Sequence, residues 1–257
     1  MIIAGIDMGI AYTKVVIVKD EKVIGRAMVS TGGIDRPAQA QKAYDEALGN
    51  AGISAGDVEK VIATGKGRFD IPFADEVFTE TISAARAARL SFPDATAVVS
   101  VGADETLAAV LGEKRLIDEF VVNQKCTAGL GTYIMFLAKR LGMTIEQASA
   151  ACGPDAGIIN DGCAVFAELD ALSLLSGGAA PEAIMASAIK AAATRAATVL
   201  ADLTASPGDN VVLIGGLARN AAFVSALEKA LCKKFLIPEE AEYSGAVGAV
   251  LSHINGI

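Results

Sequence analysis

Apolar and polar residues alternate in short runs over the first part of the chain, in the pattern of an antiparallel strand meander. The β-branched runs are separated by Asp7-Met8-Gly9 and by Asp20-Glu21, which are typical turn sequences. A helix should follow, because Pro37 suits a first helical turn and apolar residues then recur at helical spacing. This part predicts strands at 2–6, 13–18, 22–29 and 58–63 and helices at 37–49 and 79–90.

The pattern starts again near residue 95, with Gly102-Ala103-Asp104 in the place that Asp7-Met8-Gly9 holds in the first meander. This second part predicts strands at 96–101, 106–111, 116–122, 210–214 and 235–237 and helices at 128–142, 144–151, 164–176, 182–203, 220–231 and from 243 onward. The internal duplication indicates an α/β protein with two lobes around a cleft, where ligands usually bind. We expect a first lobe over 1–93, with the C-terminal helix as a candidate to complete it, and a second lobe over 94–257.

Composition fits two lobes of ordinary size. The chain has 257 residues, of which 53% are hydrophobic and 20% are charged, so it can bury a sizeable core and is not a disordered protein. Its 22 Lys and Arg against 30 Asp and Glu give a formal net charge of -8. A nucleic-acid backbone calls for a clustered basic face, and the sequence has none, so we expect no nucleic-acid partner.

The sequence also predicts a cytoplasmic protein without a membrane span. A span needs roughly 18 consecutive apolar residues, and the longest uncharged stretch, 243–257, is interrupted by glycine, histidine and asparagine. The N-terminus has no basic region and no cleavage site of a signal peptide. Four cysteines without a C-x-x-C pair are then expected to stay reduced.

Three glycine-containing turns favour a nucleotide cleft when they are taken together. Glycines near Asp7 let backbone N–H groups approach a phosphate, and the Asp7 carboxylate could hold Mg²⁺ through water. The alternative for that segment is an ordinary turn in which Asp7 makes a local hydrogen bond. Residues 100–105 form the corresponding turn of the second meander, and Gly215-Gly216 lies between a strand and a helix, where a flat ring could lie against bare backbone.

Two cysteines stand at predicted helix starts, where a thiolate or an anionic iron–sulfur cluster is stabilised. Cys126 precedes one helix and Cys163 precedes another. A [4Fe–4S] cluster usually takes four cysteines, so a two-fold dimer could supply two from each subunit. The alternative is that both are small buried apolar residues, and this is the interpretation we prefer for Cys152 and Cys232.

Six segments carry a family resemblance: Gly5-Ile6-Asp7-Met8-Gly9, Thr64-Gly65-Lys66-Gly67-Arg68, Lys125-Cys126-Thr127-Ala128-Gly129-Leu130-Gly131, Cys163-Ala164-Val165-Phe166-Ala167-Glu168, Gly215-Gly216-Leu217-Ala218-Arg219-Asn220 and Tyr243-Ser244-Gly245-Ala246-Val247-Gly248-Ala249. In this order, over nearly the whole chain, they resemble the ATP-dependent activators of 2-hydroxyacyl-CoA dehydratases and the related ATP-binding subunits of benzoyl-CoA reductase. The two cysteine segments are the specific part. The glycine motifs alone indicate the wider superfamily of sugar kinases, actin and chaperone ATPases.

The resemblance implies a duplicated actin-like, ribonuclease H-like ATPase fold and a dimer, formed with a second copy or a paralogous subunit. It implies one [4Fe–4S] cluster at the dimer interface, bound by Cys126 and Cys163 of each subunit. Ferredoxin or flavodoxin would supply an electron. Binding and hydrolysis of ATP with Mg²⁺ would change the angle between subunits, and the electron would pass to the dehydratase or reductase partner.

The candidate site residues follow from these motifs. The candidate catalytic residues are Asp7, Asp104 and Glu105; the candidate nucleotide-binding residues are Gly9, Thr13, Lys14, Gly102, Gly129, Gly131, Gly215, Gly216 and Asn220; the candidate cluster ligands are Cys126 and Cys163. His253 is the only imidazole and is expected to be a surface residue.

The chain departs from the family pattern in both phosphate loops. Ile10 and Ala11 stand where the family usually has hydroxyl residues, and the leading acid of the second loop is replaced by Ser100 while its last acid is Glu105. Two alternatives to an electron-transfer ATPase therefore stay open. One is a small-molecule kinase of the same superfamily, with Asp104 or Glu105 as base and inert cysteines. The other is a weakly or non-hydrolysing subunit of a heterodimeric ATPase.

Overall fold

The computed structural model describes residues 1–32, 35–123, 129–151 and 153–256. The first sheet contains strands β1 (Ile2–Met8), β2 (Tyr12–Lys19), β3 (Lys22–Ser30), β4 (Lys60–Thr64) and β5 (Glu76–Val77), in the order β3-β2-β1-β4-β5. The meander β1–β3 is antiparallel, whereas β4 and β5 continue the sheet in parallel. The four predicted strands of this part are confirmed, and the two-residue β5 was not predicted.

The second sheet repeats this plan with strands β6 (Ala97–Val101), β7 (Thr106–Val110), β8 (Glu119–Val122) and β9 (Val211–Ile214), in the order β8-β7-β6-β9. Again an antiparallel meander is extended by a parallel strand, here β9 against β6. The strand predicted at 235–237 is reduced to a single bridge between Leu236 and Val212.

Eight α-helices surround the sheets in the described part of the chain: α1 (Arg36–Ala51), α2 (Glu80–Ser91), α3 (Leu130–Arg140), α4 (Ile145–Ser149), α5 (Ala164–Ser176), α6 (Pro181–Ala201), α7 (Ala221–Leu231) and α8 (Ser244–Ile254). Local signals define several ends. The Asp35 carboxylate accepts a hydrogen bond from the Ala38 N–H at 3.0 Å, and Gly52 ends α1 in the left-handed conformation. The helices therefore begin and end close to where the sequence predicts.

Helix α6 is long and apolar enough to cross a membrane by length and composition alone. In the fold it packs against α3, α5 and α7, and its residues Ile184, Met185 and Ile189 are almost completely buried. Burial in the core of the second half explains its apolar composition.

The two halves are joined through α2 and α8. Although α8 ends the chain, Ala246, Ala249 and Val250 pack on the first sheet beside Ile3 and Ile62. Helix α2 lies against α8 and also packs its alanine-rich face on the second sheet. The relative placement of the sheets therefore depends on this helix pair.

Two sequence expectations are corrected. Cys232, expected as a buried apolar residue, is exposed, because α7 ends there with Cys232 in the left-handed conformation. His253, expected at the surface, is half-buried, and its Nδ1 lies 3.0 Å from the carboxylate of Glu76 on β5. The Cys152 expectation lies outside the described residues.

We expect Gly248→Ala to lower the free energy of unfolding by about 3 kcal/mol. A methyl group there would lie 1.8 Å from the Ser83 carbonyl oxygen, so α2 and α8 would have to separate. Chemical denaturation measures the change. Gly49→Ala is the matched control, since it is also a helical glycine with open space around it, and we expect it to stabilise by up to about 1 kcal/mol. Equal effects of the two substitutions would contradict the packing argument.

Candidate functional site

A cleft with a cavity volume of about 810 Å³ lies between the two sheets. The turns after β1 and β6, the loop after β4, the segment after β9 and the starts of α2, α3 and α8 all contribute to its walls. Of the candidate site residues, those that line it are Asp7, Gly9, Lys14, Gly102, Asp104, Glu105, Gly131, Gly215, Gly216 and Asn220. The fold therefore brings residues from both meanders and from the diglycine segment to one cavity.

Two candidate nucleotide-binding residues lie behind this lining. Thr13 is completely buried, and its hydroxyl shares a hydrogen bond of 2.8 Å with the Thr31 hydroxyl. Gly129 is the N-cap residue of α3 and lies directly against the backbone of Ala103 and Asp104. Both residues therefore support the cleft walls from behind and do not form part of the lining itself.

Asp7 and Lys14 face each other across the first meander. The antiparallel register pairs these two residues, and the Lys14 Nζ lies 3.1 Å from the Asp7 Oδ2. Both side chains are largely buried, with exposures of 15% for Lys14 and 16% for Asp7. Asp7 is therefore neutralised by a cation from the next strand, and both groups line the cleft.

A second cluster of charged side chains, formed by Lys66, Glu80 and Glu105, spans the cleft. Lys66, from the loop after β4, pairs with Glu105 from the turn between β6 and β7, and its Nζ also lies 3.5 Å from the Glu80 Oε2 at the start of α2. Lys66 thus connects the first half of the molecule to the second. In the sequence, Lys66 stands out only as part of a family motif, and nothing marks Glu80, because an acid at the start of a helix is common and carries no special signal.

The surroundings shift the pKa values of two of these groups, Glu80 and Lys66. Burial raises the pKa of Glu80 to about 7, and the nearby charges of Glu105 and Asp7 add to this, while Lys66 opposes it. For Lys66, burial alone lowers the pKa, but its hydrogen bond with Glu105 and the charges of Glu80 and Glu105 outweigh burial and raise the pKa. Lys66 is therefore a permanent cation at neutral pH, whereas Glu80 can hold or release a proton there.

The diglycine segment forms the opposite wall. Gly215 has a positive φ of 93°, and its N–H donates to the Ala241 carbonyl at 2.9 Å, which ties the segment to the turn before α8. Asn220 is the N-cap residue of α7, and its side-chain oxygen accepts a hydrogen bond from the Phe223 N–H at 2.8 Å. The candidate role of Asn220 in binding is thus combined with a capping role that fixes this wall.

Cys163 lies away from the cleft lining, as the half-buried N-cap residue of α5. Its N–H donates to the Asn160 side-chain oxygen at 2.8 Å. The Asn160 N–H in turn donates to Asp170 at 2.8 Å, and the Tyr133 hydroxyl donates to the Asn160 carbonyl at 3.1 Å. Cys163 is therefore held at a helix start by a fixed turn. Cys126 lies outside the described residues.

The helix that follows Cys126 in sequence contacts the cleft directly. At the start of α3, the Gly131 N–H donates to the Gly102 carbonyl at 3.1 Å, and the Thr132 N–H donates to the Ala103 carbonyl at 2.9 Å. Gly102 and Ala103 belong to the turn between β6 and β7 that carries Glu105. A change at this turn would therefore be felt at the start of α3.

The helix that begins after Cys163 exposes an apolar face. Five large apolar side chains of α5 are 41% to 63% exposed: Val165, Phe166, Leu169, Leu172 and Leu175. A contiguous apolar face of this kind is typical of an interaction surface rather than of a solvated helix. It lies on the same helix as one candidate cluster ligand.

Within the described residues, the possible metal-binding side chains are scattered. Among residues 1–32, 35–123, 129–151 and 153–256, no group of three or more His, Cys, Asp or Glu side chains converges for metal binding. A [4Fe–4S] cluster takes four thiolates. Of the two candidate cluster ligands, only Cys163 lies within these residues, at the start of α5 beside the exposed apolar face.

Comparison with known proteins identifies the fold and the family. The structure of the activator of 2-hydroxyisocaproyl-CoA dehydratase from Clostridium difficile with bound ADPNP is 27% identical and superimposes with a TM-score of 0.90, over 99% of this chain and 95% of that one. The protein thus has the duplicated actin-like ATPase fold that the sequence predicts. Residues 4–252 match the BadF/BadG/BcrA/BcrD ATPase family, and the chain belongs to this family.

Two curated relatives extend the comparison. The activator of lactoyl-CoA dehydratase from Anaerotignum propionicum is 31% identical over 96% of this chain and 95% of its own length. One of the subunits of benzoyl-CoA reductase from Thauera aromatica is 28% identical over 97% of this chain and 92% of its own length. Both similarities extend over nearly the whole chain, so the family resemblance carried by the sequence motifs is confirmed.

We expect Glu80→Gln to change the pH dependence of stability. Because the folded protein holds the Glu80 proton more tightly than the unfolded chain, this group lowers stability as pH rises from its ordinary pKa of 4.5 to about 7. Without nucleotide and with EDTA, Glu80→Gln should gain about 2 kcal/mol relative to wild type between pH 5 and pH 8. Denaturant unfolding at the two pH values measures this gain.

Glu182→Gln is the control for this comparison, since Glu182 also lies in the first turn of a helix but on the surface. A gain of the same size in both variants, or no gain for Glu80→Gln, would show that burial in the cleft does not raise the pKa of Glu80.

Proposed function

We propose that this protein is an ATP-dependent electron-transfer activator, the reductase component that serves a 2-hydroxyacyl-CoA dehydratase or a benzoyl-CoA reductase. The single observation that carries the proposal is a series of hydrogen bonds that connects the cleft to α3, which follows Cys126, and to the turn before Cys163 and α5. The turn that holds Glu105 is hydrogen-bonded to the start of α3, which follows Cys126, and Tyr133 of α3 is hydrogen-bonded to the turn before Cys163. The named functions of the relatives support the same conclusion.

The cleft is suited to ATP with Mg²⁺. Asp7, Asp104 and Glu105 supply oxygen ligands of the kind that Mg²⁺ prefers, and Lys14 and Lys66 supply cations for phosphate oxygens. The nucleoside would lie against the bare backbone of the diglycine segment. The bound ADPNP in the homologous activator supports this use of the cleft.

The Lys66 bridge offers a way for nucleotide to move the two halves. Lys66 now holds Glu105 across the cleft, and a triphosphate would compete with Glu105 for this cation. The turn between β6 and β7 would then be free to shift, together with the start of α3 that is bonded to it. Nucleotide binding would thus favour one arrangement of the cysteine helices over another.

A [4Fe–4S] cluster at the cysteines would supply a one-electron carrier. In this proposal Cys126 and Cys163 hold half of it, and a second copy or a paralogous subunit holds the other half. The apolar face of α5 and the partial positive charge at the helix start support a shared, anionic site there. Ferredoxin or flavodoxin would be the electron donor, and we propose a cytoplasmic location.

The first test is to measure iron and acid-labile sulfide in protein purified without oxygen, together with an EPR spectrum after reduction. About four irons per dimer and a reduced-cluster signal would support the proposal. Iron-free protein that binds ATP and phosphorylates a sugar or a carboxylate would support the kinase alternative. Iron-containing protein without ATPase activity of its own would support the non-hydrolysing member of a heterodimer.

We expect Cys126→Ser and Cys163→Ser to lose the cluster, because a hydroxyl is a poor ligand for iron in such clusters. Cys152→Ser and Cys232→Ser are the controls and should keep it, and Cys232 is exposed at the far end of α7. Iron content and the absorbance of the cluster measure the result. Equal loss in all four variants would refute the ligand assignment.

We expect Phe166→Glu to convert the dimer to a monomer, because it places a charge in the apolar face of α5. The matched control is Phe120→Glu on β8, where the aromatic residue is similarly exposed, at 55% against 59% for Phe166. Sedimentation of the anaerobic protein measures the association. A dimer that survives Phe166→Glu would mean that this face is not the interface.

A further inference from the structure

One buried acid in the cleft lacks a partner for half of its carboxylate. Glu242 is only 8% exposed, and its Oε1 accepts a hydrogen bond of 2.6 Å from Arg219. The Oε2 atom is buried and has no hydrogen-bond partner among the described residues. Both Glu242 and Arg219 line the cleft. A buried carboxylate oxygen without a donor is unfavourable, which points to a donor supplied by a ligand.

The contacts of the residues on either side of Glu242 indicate which part of a bound nucleotide would lie next to its carboxylate. On one side, Ala241 accepts the hydrogen bond from the Gly215 N–H of the diglycine segment. On the other side, a methyl group on Gly245 would lie 2.8 Å from the Asp7 Oδ2. Glu242 thus lies between the wall that suits a nucleoside and the end that suits phosphates.

The phosphates of a nucleotide cannot be hydrogen-bond partners of the Glu242 Oε2 atom. An ionised carboxylate only accepts hydrogen bonds, and a phosphate group brings acceptor oxygens and negative charge. The donors of an adenine nucleotide are its ribose hydroxyls and its 6-amino group. The part of a nucleotide between its base and its phosphates is the ribose, so a ribose hydroxyl is the donor that fits the position of Glu242.

We propose that Glu242 is a specificity-determining residue whose Oε2 accepts a hydrogen bond from a ribose hydroxyl of the bound nucleotide. Arg219 is a positioning residue, because its contact with Oε1 orients the carboxylate. The inference rests on the proposed binding of ATP in this cleft. Glu242 was not a candidate in the sequence analysis, since nothing in the local sequence distinguishes it from Glu239 and Glu240 beside it.

The test compares ATP, 2′-deoxy-ATP, 3′-deoxy-ATP and inosine triphosphate in equilibrium binding to the anaerobically purified full chain. Wild type should bind one of the deoxy nucleotides about tenfold more weakly than ATP, as expected for loss of a hydrogen bond to a charged group. Glu242→Met should bind ATP about tenfold more weakly and should no longer discriminate ATP from that deoxy nucleotide. Arg219→Met should lose part of the same discrimination.

The matched control is Glu240→Met, since Glu240 is two residues away and pairs with Arg26 on the first half of the molecule. It should leave both affinities unchanged. If Glu242→Met does not fold, Arg219→Met still tests the assignment, because loss of discrimination in that variant depends on the orientation of the Glu242 carboxylate.

The outcomes separate this inference from the proposed function. Wild type that binds no nucleotide would overturn the proposed function and the inference with it. Wild type that binds ATP and both deoxy nucleotides equally would overturn the inference alone. Discrimination against inosine triphosphate that is lost in Glu242→Met would assign the contact to the base amino group and so overturn the ribose assignment.

Discussion

The close crossing of α2 and α8 determines how the two sheets face each other. Gly248 lies against the backbone of Ser83, and this contact lets α8 cover the first sheet while α2 reaches the second. The start of each helix then contributes to the cleft, Glu80 from α2 and Gly245 from α8. A larger side chain at the crossing would force α2 and α8 apart. The width of the cleft would then change although none of the residues that line it had been substituted.

Within that frame, the cleft holds more acids than cations. Asp7 is paired with Lys14, and Lys66 is shared between Glu80 and Glu105, so the acidic groups compete for two lysines. Burial, together with the nearby charges of Glu105 and Asp7, raises the pKa of Glu80 to about 7. A polyanion with its metal ion would redistribute these charges, which gives a physical link between occupancy of the cleft and the position of the turn that carries Glu105.

Much of the fold followed from the sequence because both meanders and most helices have a clear local period. The strand at 235–237 was overestimated, since a short apolar run does not reveal that only Leu236 finds a partner. The candidate site was found where glycine and acid occur together at a turn. It was incomplete at Glu80 and Glu242, whose importance comes from burial and from partners distant in sequence.

The duplicated order of elements, the glycine turns and a cysteine at the start of α5 could be predicted from the amino-acid order alone, because each depends on neighbours along the chain. Tertiary structure decided the rest. Lys66 meets Glu105 across 39 residues and Arg219 meets Glu242 across 23, and the last helix returns to the first sheet. Such contacts depend on how buried surfaces pack, and so do the burial and the proton affinity of a carboxylate, which no local pattern of residues records.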